Sequence, residues 1–434
     1  MNNVTPLESW IQERTHLARP SQEALRAYQL EKVRTTLRYA QSKSRFYRER
    51  LDKIDVDAID SFKAFETIAF TTPEDIRHNA YDFLCVPTHE IERIVTLNTS
   101  GTTGDEKRLF FTHEDLETTI DFFHYGMRCL VDERDKVMVL LPGPSFASIG
   151  DLLKKALQRS GIACIVHGVL DDVEAAAACI FQNGITCIVG IPMHVSYLAR
   201  MKKELFDTHI KKVLLSTDYV ADALVKSLSH NGTCQVFNHY GMTEMGYGGG
   251  VECACLSGYH LRENDLYFEI VDPMTGEVVE DGTYGEVVFT TLNRQAMPLI
   301  RYKTGDRARF LVEPCACGTF LRRMEKVRGR IENMLSVEGH EITLRDLDEI
   351  FLAYESLMDY RVECYDPNRL HVRLVLDKNT DAKAFQNTLK KELHVRFESK
   401  FDFEIEIEED DRSSKITRSM IKRKIHDCRQ GAKR

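Results

Sequence analysis

From residue 136 the chain alternates short apolar strands with amphipathic helices, and that rhythm narrows the fold more than any other feature. "KVMVLLPG" reads as a strand, "GDLLKKALQRSG" as a helix, "IACIVHG" as a strand, "DDVEAAAACIFQNG" as a helix and "ITCIVGIP" as a strand. "HVSYLARMKKELF", "VLLSTD", "VADALVKSLSHNG" and "CQVFNHYG" continue it to residue 241. Continuous apolar strands punctuated by Gly and Asp predict a buried parallel sheet with helices on its faces. Ligands of such sheets lie at the carboxyl ends of the strands.

The 434 residues exceed one ordinary core and predict at least two domains. Residues 20–52 show helical spacing and form an N-terminal helical segment. After about residue 260 the texture changes: "DLYFEIVDPMTGEVV" and "YGEVVFTTL" are strands separated by turn chemistry, an antiparallel or β-barrel-like part. "VRGRIENMLSVEGHEI" marks a boundary, beyond which two helices and three strands make an α+β unit of about 100 residues, a size that folds alone. The expected fold class is α/β, with a large domain over 1–328, a junction at 329–333 and a small domain over 334–434.

A net charge of −9 disfavours general nucleic-acid binding, although nine Lys or Arg against Asp427 alone make residues 412–434 basic, which reads as a solvated tail. No apolar run approaches the roughly 18 residues of a membrane helix. The N-terminus lacks a basic head followed by an apolar core, so the expected location is cytoplasmic, with no membrane partner. Twelve cysteines in such a chain imply reduced thiols or metal ligands.

Residues 98–107, "NTSGTTGDEK", follow one strand-like stretch and precede another. Converging backbone N–H groups, hydroxyls and a nearby lysine can cradle an anion. The run lacks a Gly-Lys-Ser/Thr triplet opening a helix, which excludes the Walker pattern. Taken alone it is either a phosphate loop or a hairpin turn with solvated hydroxyls.

Four further segments follow in order: "NHYGMTEMG" at 238–246, "IRYKTGD" at 300–306, "GRIENML" at 329–335 and "SSKITRSMI" at 413–421. Together with the loop they resemble the motifs of the adenylate-forming superfamily of acyl- and aryl-CoA synthetases, over most of the chain. "VECACLSGYHLRENDLYFEIVDP" and "MPLIRYKTGD" are most similar to the phenylacetate-CoA ligase branch, and within it to an uncharacterised group of AMP-dependent CoA ligases. The resemblance implies ATP, Mg²⁺ and CoA as cofactors or co-substrates and a small-molecule carboxylic acid as partner.

By that resemblance, Thr99, Ser100, Gly101, Thr102, Thr103, Gly104 and Lys107 grip the β- and γ-phosphates. Tyr240, followed by Gly241, stacks on adenine, Thr243 donates to the α-phosphate, and Glu244 holds Mg²⁺, an oxygen ligand for a hard cation. Asp306 accepts the ribose hydroxyls, and Arg330 contacts ribose and phosphate. Lys415 bridges the carboxylate and the α-phosphate during adenylation, relieving the repulsion between two anions. The small domain then rotates about residues 329–333 for thiolation. Asn333 stands where the family often has a hinge aspartate, and Ser414 where it has glycine. The bland readings are an exposed acid for Glu244, a plain Gly-Asp turn at Asp306 and a solvated tail lysine for Lys415.

"ECACLSGYH" and "EPCACGTF" place Cys253, Cys255 and His260 ahead of Cys315 and Cys317. Close thiols with an imidazole have the composition of a structural Zn²⁺ site, although C-x-C is tighter than zinc-finger spacing, and unligated cysteines are the alternative. The resemblance favours Cys253, His260, Cys315 and Cys317 as ligands. It also places the acid near residues 141–151, 190–197 and 214–218, where Pro144 and Ser145 stand in place of aromatic residues in relatives. An apolar pocket suits an aryl or short acyl group.

Three functions compete: a carboxylate–CoA ligase forming AMP and pyrophosphate; adenylation followed by transfer to a protein or carrier thiol, or adenylyl transfer to a cofactor as in coenzyme F390 synthetases; and a catalytically inactive nucleotide-binding protein. The residue types leave open whether the chain acts alone or as a homodimer.

Overall fold

The alternation of residues 136–241 forms as strands and helices in register with its apolar pattern. Strands Lys136–Leu140, Cys187–Gly190 and Lys212–Leu215 run parallel, with Val137 opposite Cys187 and Cys187 opposite Lys212. Val137–Leu140 and Cys187–Gly190 are buried throughout, as expected of strands covered on both faces. The computed structural model describes residues 5–97, 106–143, 145–229, 232–331, 334–337, 340–366, 369–398, 400–408, 423 and 425–429. Spatially the chain divides into two units, one of residues 1–135, 142–166 and 237–327, the other of 136–141, 167–236 and 328–434.

The first unit is mostly antiparallel. Strands Leu266–Val271, Gly285–Thr291 and Tyr302–Ala308 form an open three-stranded sheet, so the barrel-like part appears as an open sheet. Tyr302–Ala308 carries the "YKTGD" residues inside a strand, so Asp306 is not in a plain Gly-Asp turn. Its register slips against Glu286 and Val288, and Gly305 takes φ 73°. A bulge of this kind re-aims a side chain within a ladder. A second antiparallel series pairs Tyr240 with Gly250, Val251 with His260, and His260 with Arg323.

Helix His113–Met127 is tied into the same unit by its own start. Thr112 and Asp115 form a reciprocal capping box, and the Asp115 carboxylate also accepts the backbone N–H groups of Gln295 (2.8 Å) and Ala296 (3.0 Å). Arg301 is buried and donates to Glu269 at 2.9 Å and to the Ile68 carbonyl at 2.7 Å. That pair pins the chain immediately before Tyr302.

In the second unit, "HVSYLARMKKELF" is two helices, Pro192–Met201 and Lys203–His209, broken at Lys202. The C-terminal part matches the α+β pattern. Helices Leu344–Phe351 and Ala382–Arg396 accompany a four-stranded sheet ordered Asp402–Glu408, Arg369–Leu376, Leu357–Asp366, His426–Asp427. The last strand pairs parallel to Leu357–Asp366, so His426 and Asp427, within the stretch read as a solvated tail, are built into a sheet edge.

Candidate adenylate site

Two motif strands and one short helix bring three side chains of the first unit together. Lys107 opens strand Lys107–Phe111, Tyr302 opens Tyr302–Ala308, and Glu244 sits in the 3-10 helix Thr243–Met245. Lys107 Nζ donates to Glu244 Oε1 and, at 3.3 Å, to the Tyr302 hydroxyl. Tyr302 in turn donates to Glu244 Oε1 at 3.2 Å. Glu244 is only 3 % exposed, so its charge is held by these donors, as a buried carboxylate must be. It is a buried, paired acid and no exposed strand-end residue.

Tyr240 donates its hydroxyl to Asp306 Oδ2 at 3.0 Å, and both are buried. The bulge explains the aim of Asp306: its N–H bonds Thr304 Oγ1 at 3.0 Å, Thr304 donates to the Val287 carbonyl at 2.7 Å, and the Gly305 N–H bonds Glu286 at 3.0 Å. Gly241 is required by packing, since a Cβ there would lie 2.1 Å from the Tyr247 carbonyl oxygen. Thr243 begins the short helix that Gly246 ends with φ 71°. Arg330 belongs to the second unit. Thr99, Ser100, Gly101, Thr102, Thr103, Gly104, Asn333, Ser414 and Lys415 lie outside the described residues.

Two contributors escaped sequence reading. Arg294 donates to the carbonyls of Glu244 (3.3 Å) and Phe110 (3.2 Å), with its guanidinium 4.0 Å from the Phe111 ring centre. It therefore ties the Glu244 backbone to the strand that carries Lys107. Tyr302 stood inside the quoted "IRYKTGD", but nothing local distinguishes a core tyrosine from one that faces a carboxylate.

The cysteine turns converge as well. Pairing of His260 with Arg323 brings the turn holding Cys315 and Cys317 beside Cys253, and the ligand atoms of Cys253, His260, Cys315 and Cys317 all lie within 4.8 Å of one another. Cys253 and Cys315 sulfurs are 3.7 Å apart and Cys317 Sγ is 3.6 Å from His260 Nε2. Tetrahedral zinc with Zn–S of about 2.3 Å puts its ligands roughly 3.8 Å apart, so the set fits that ion. Burial, with Arg323 nearby, lowers the His260 pKa to about 4 and keeps the imidazole neutral, as ligation needs. Burial raises the thiols of Cys253 and Cys317; at Cys315 it is outweighed by donors including the Cys317 N–H, which lower that thiol. Cys255 is exposed and outside the group.

The AMP-binding enzyme family matches residues 23–293. The chain belongs to that family. This AMP-binding enzyme is 30% identical to the phenylacetate-coenzyme A ligase of Pseudomonas putida, over 82% of this chain and 83% of the relative. It is 28% identical to that of Thermus thermophilus, over 78% and 77%. Among solved structures, 2-hydroxyisobutyryl-CoA ligase in the postadenylation state shares the fold, with TM-score 0.82 at 18% identity, covering 96% of this chain and 91% of that one.

Proposed function

We propose that this AMP-binding enzyme is an AMP-forming acid–CoA ligase: it joins a carboxylic acid to the α-phosphate of ATP, releasing pyrophosphate, and passes the acyl group to CoA, releasing AMP. The observation that carries the site reading is the buried Glu244 carboxylate gripped by Lys107 and Tyr302. Family membership and the phenylacetate-CoA ligase relatives support the reaction class.

Joining two anions requires charge neutralisation and in-line positioning. Glu244 is the residue we assign to Mg²⁺, which when bound supplies charge neutralisation on phosphate oxygens. Lys107 then turns from Glu244 toward the phosphates, with Tyr302 still donating to the carboxylate. Asp306 exchanges its Tyr240 partner for the ribose hydroxyls, and the freed Tyr240 ring faces adenine. Thr243, Arg330, the loop 99–104 and Lys415 take the roles their motifs imply. Cys253, His260, Cys315 and Cys317 would hold a structural Zn²⁺, whose part would be to join two turns of one antiparallel series.

The acid is proposed to be aryl or short-chain. The proposed location is cytoplasmic, on the reduced-thiol reading; no described helix is long and apolar enough to cross a membrane. Pyrophosphate release with and without CoA, across a panel of aryl and short-chain acids, tests the reaction. Acid-dependent release with stable acyl-CoA product is the expected result. Release without CoA consumption would point to another acceptor, and no release with any acid would refute adenylation.

A further inference from the structure

Both carboxylates assigned to the nucleotide hold partners from within the protein. One oxygen of Glu244, Oε1, accepts from the Lys107 ammonium and the Tyr302 hydroxyl, and Asp306 Oδ2 accepts from the Tyr240 hydroxyl. The Lys107 side chain is only 13 % exposed, so little water screens its attraction to the buried Glu244. A buried carboxylate deprived of its cation is costly, because the charge keeps its desolvation penalty and loses its compensation. The same lysine cannot serve Glu244 and a phosphate at full strength. Whatever draws Lys107 away must therefore deal with the anion it leaves.

The two partners differ in what fixes them. Glu244 lies in a turn held from several sides: Arg294 donates to its carbonyl at 3.3 Å, and Thr119 Oγ1 donates to the Gly246 carbonyl at 3.0 Å. Within the turn, the N–H groups of Met245 and Tyr247 bond the Met242 carbonyl at 3.0 and 2.9 Å. Tyr302 is buried and stands directly after Arg301, itself pinned by Glu269. Lys107, by contrast, is the first residue of strand Lys107–Phe111, paired with Leu97, and reaches Glu244 through a flexible carbon stem. When the pair opens, Lys107 is the partner that moves.

We propose that the Lys107–Glu244 pair is an autoinhibitory lock that makes binding of a nucleoside triphosphate depend on a divalent cation, beyond the bonds such a cation makes to the phosphates themselves. The inference rests on the assignment of Glu244 to Mg²⁺ and of Lys107 to the β- and γ-phosphates. Without a cation, Lys107 can reach those phosphates only by stranding a buried anion, so it stays on Glu244 and the phosphates go without it. With a divalent cation at Glu244, that charge stands in for the ammonium and Lys107 can turn to the phosphates. Tyr302, donating to the same carboxylate, keeps Glu244 oriented through the exchange. A nucleoside monophosphate lacks the two phosphates that Lys107 serves, so its binding does not draw on the lock.

Binding, separate from turnover, tests the lock. Full-length wild type, Glu244→Gln, Lys107→Met and the double variant are titrated calorimetrically with ATP and with AMP, in EDTA and in Mg²⁺, and circular dichroism checks the fold of each. If Lys107→Met does not fold, Lys107→Gln, which keeps a neutral donor for the carboxylate, replaces it. In EDTA, Glu244→Gln is expected to bind ATP about ten-fold more tightly than wild type, the scale of one charge-assisted bond no longer broken, and AMP within roughly two-fold. Mg²⁺ should tighten ATP binding far more in wild type than in Glu244→Gln. Adding Lys107→Met to Glu244→Gln should erase the gain seen in EDTA, since no lysine is left to release. A gain that survives in the Lys107→Met background, or one equally large for AMP, is relief of repulsion between Glu244 and phosphate; it overturns the lock and leaves the Mg²⁺ assignment standing. ATP binding in EDTA that is unchanged or weaker in Glu244→Gln overturns the lock as well. Mg²⁺-independent ATP binding by wild type, together with no acid-dependent pyrophosphate exchange, overturns both the lock and the proposed function.

Discussion

At the scale of single residues, the Glu244 and Asp306 carboxylates separate binding from chemistry. Glu244→Gln keeps the shape and an acceptor for Tyr302 but removes the charge assigned to Mg²⁺, so exchange should fall on the order of 10²-fold with the fold intact. Asp306→Asn still accepts from Tyr240 and should act on nucleotide affinity, raising the KM for ATP by roughly ten-fold or more through loss of charge-assisted bonds. Circular dichroism with exchange kinetics checks both; wild-type exchange in each would remove these residues from the site. His239 makes a pH prediction. Its half-buried ring packs near Phe122 and Phe123, Nε2 is shut away from solvent, and burial lowers the pKa to about 4. The folded state thus binds this proton more weakly than the unfolded chain, whose value is about 6.5. Its contribution is fully present above about pH 6.5 and is lost as the pH falls toward 4, by at most about 3 kcal/mol. Urea titrations between those pH values should show a smaller slope of stability with pH in His239→Leu than in wild type.

At the scale of elements, the cysteine turns depend on strand pairing. The ladder joining Val251, His260 and Arg323 gathers ligands that are far apart in sequence, and a metal there should stabilise the folded chain by mass action. Elemental analysis of purified protein should find about one zinc per chain. Cys315→Ser should lose metal and Tm together, whereas Cys255→Ser, outside the group, should lose neither. A metal-free wild type of undiminished Tm would refute the assignment. The Tyr302–Ala308 strand teaches a related lesson. "YKTGD" reads locally as a Gly turn, yet cross-strand bonds from Gly285–Thr291 hold it extended, and the glycine is used for a bulge.

At the scale of the whole molecule, two half-reactions around one acyl-adenylate need different neighbours, and the proposed pivot is residues 329–333. Gly329 has φ 115°, accessible only to glycine without strain. Lys415→Ala should abolish acyl-adenylate formation while sparing acyl-CoA release from prepared acyl-AMP. Asn333→Pro restricts the backbone at and before the pivot and should do the reverse: adenylation survives and turnover to thioester falls. Separate assays of the two steps on the same folded preparations check this. Equal loss of both steps in Lys415→Ala would make that lysine structural.

Periodicity and motif order in the sequence alone determined the parallel strands between 136 and 215, the α+β C-terminal part, and which residue types were candidates at Lys107, Tyr240, Glu244 and Asp306. These were legible because burial on both faces of a parallel strand writes a continuous apolar run, and because anion chemistry demands particular side chains at close spacing. Only the tertiary structure decided what each candidate touches. Lys107 and Glu244 stand far apart in the chain, as do Tyr240 and Asp306, and their pairing depends on strands that no local pattern brings together. The roles of Arg294 and Arg301 were equally silent in sequence, since a buried guanidinium and a solvated one are written with the same letter until the fold supplies the partner that offsets desolvation.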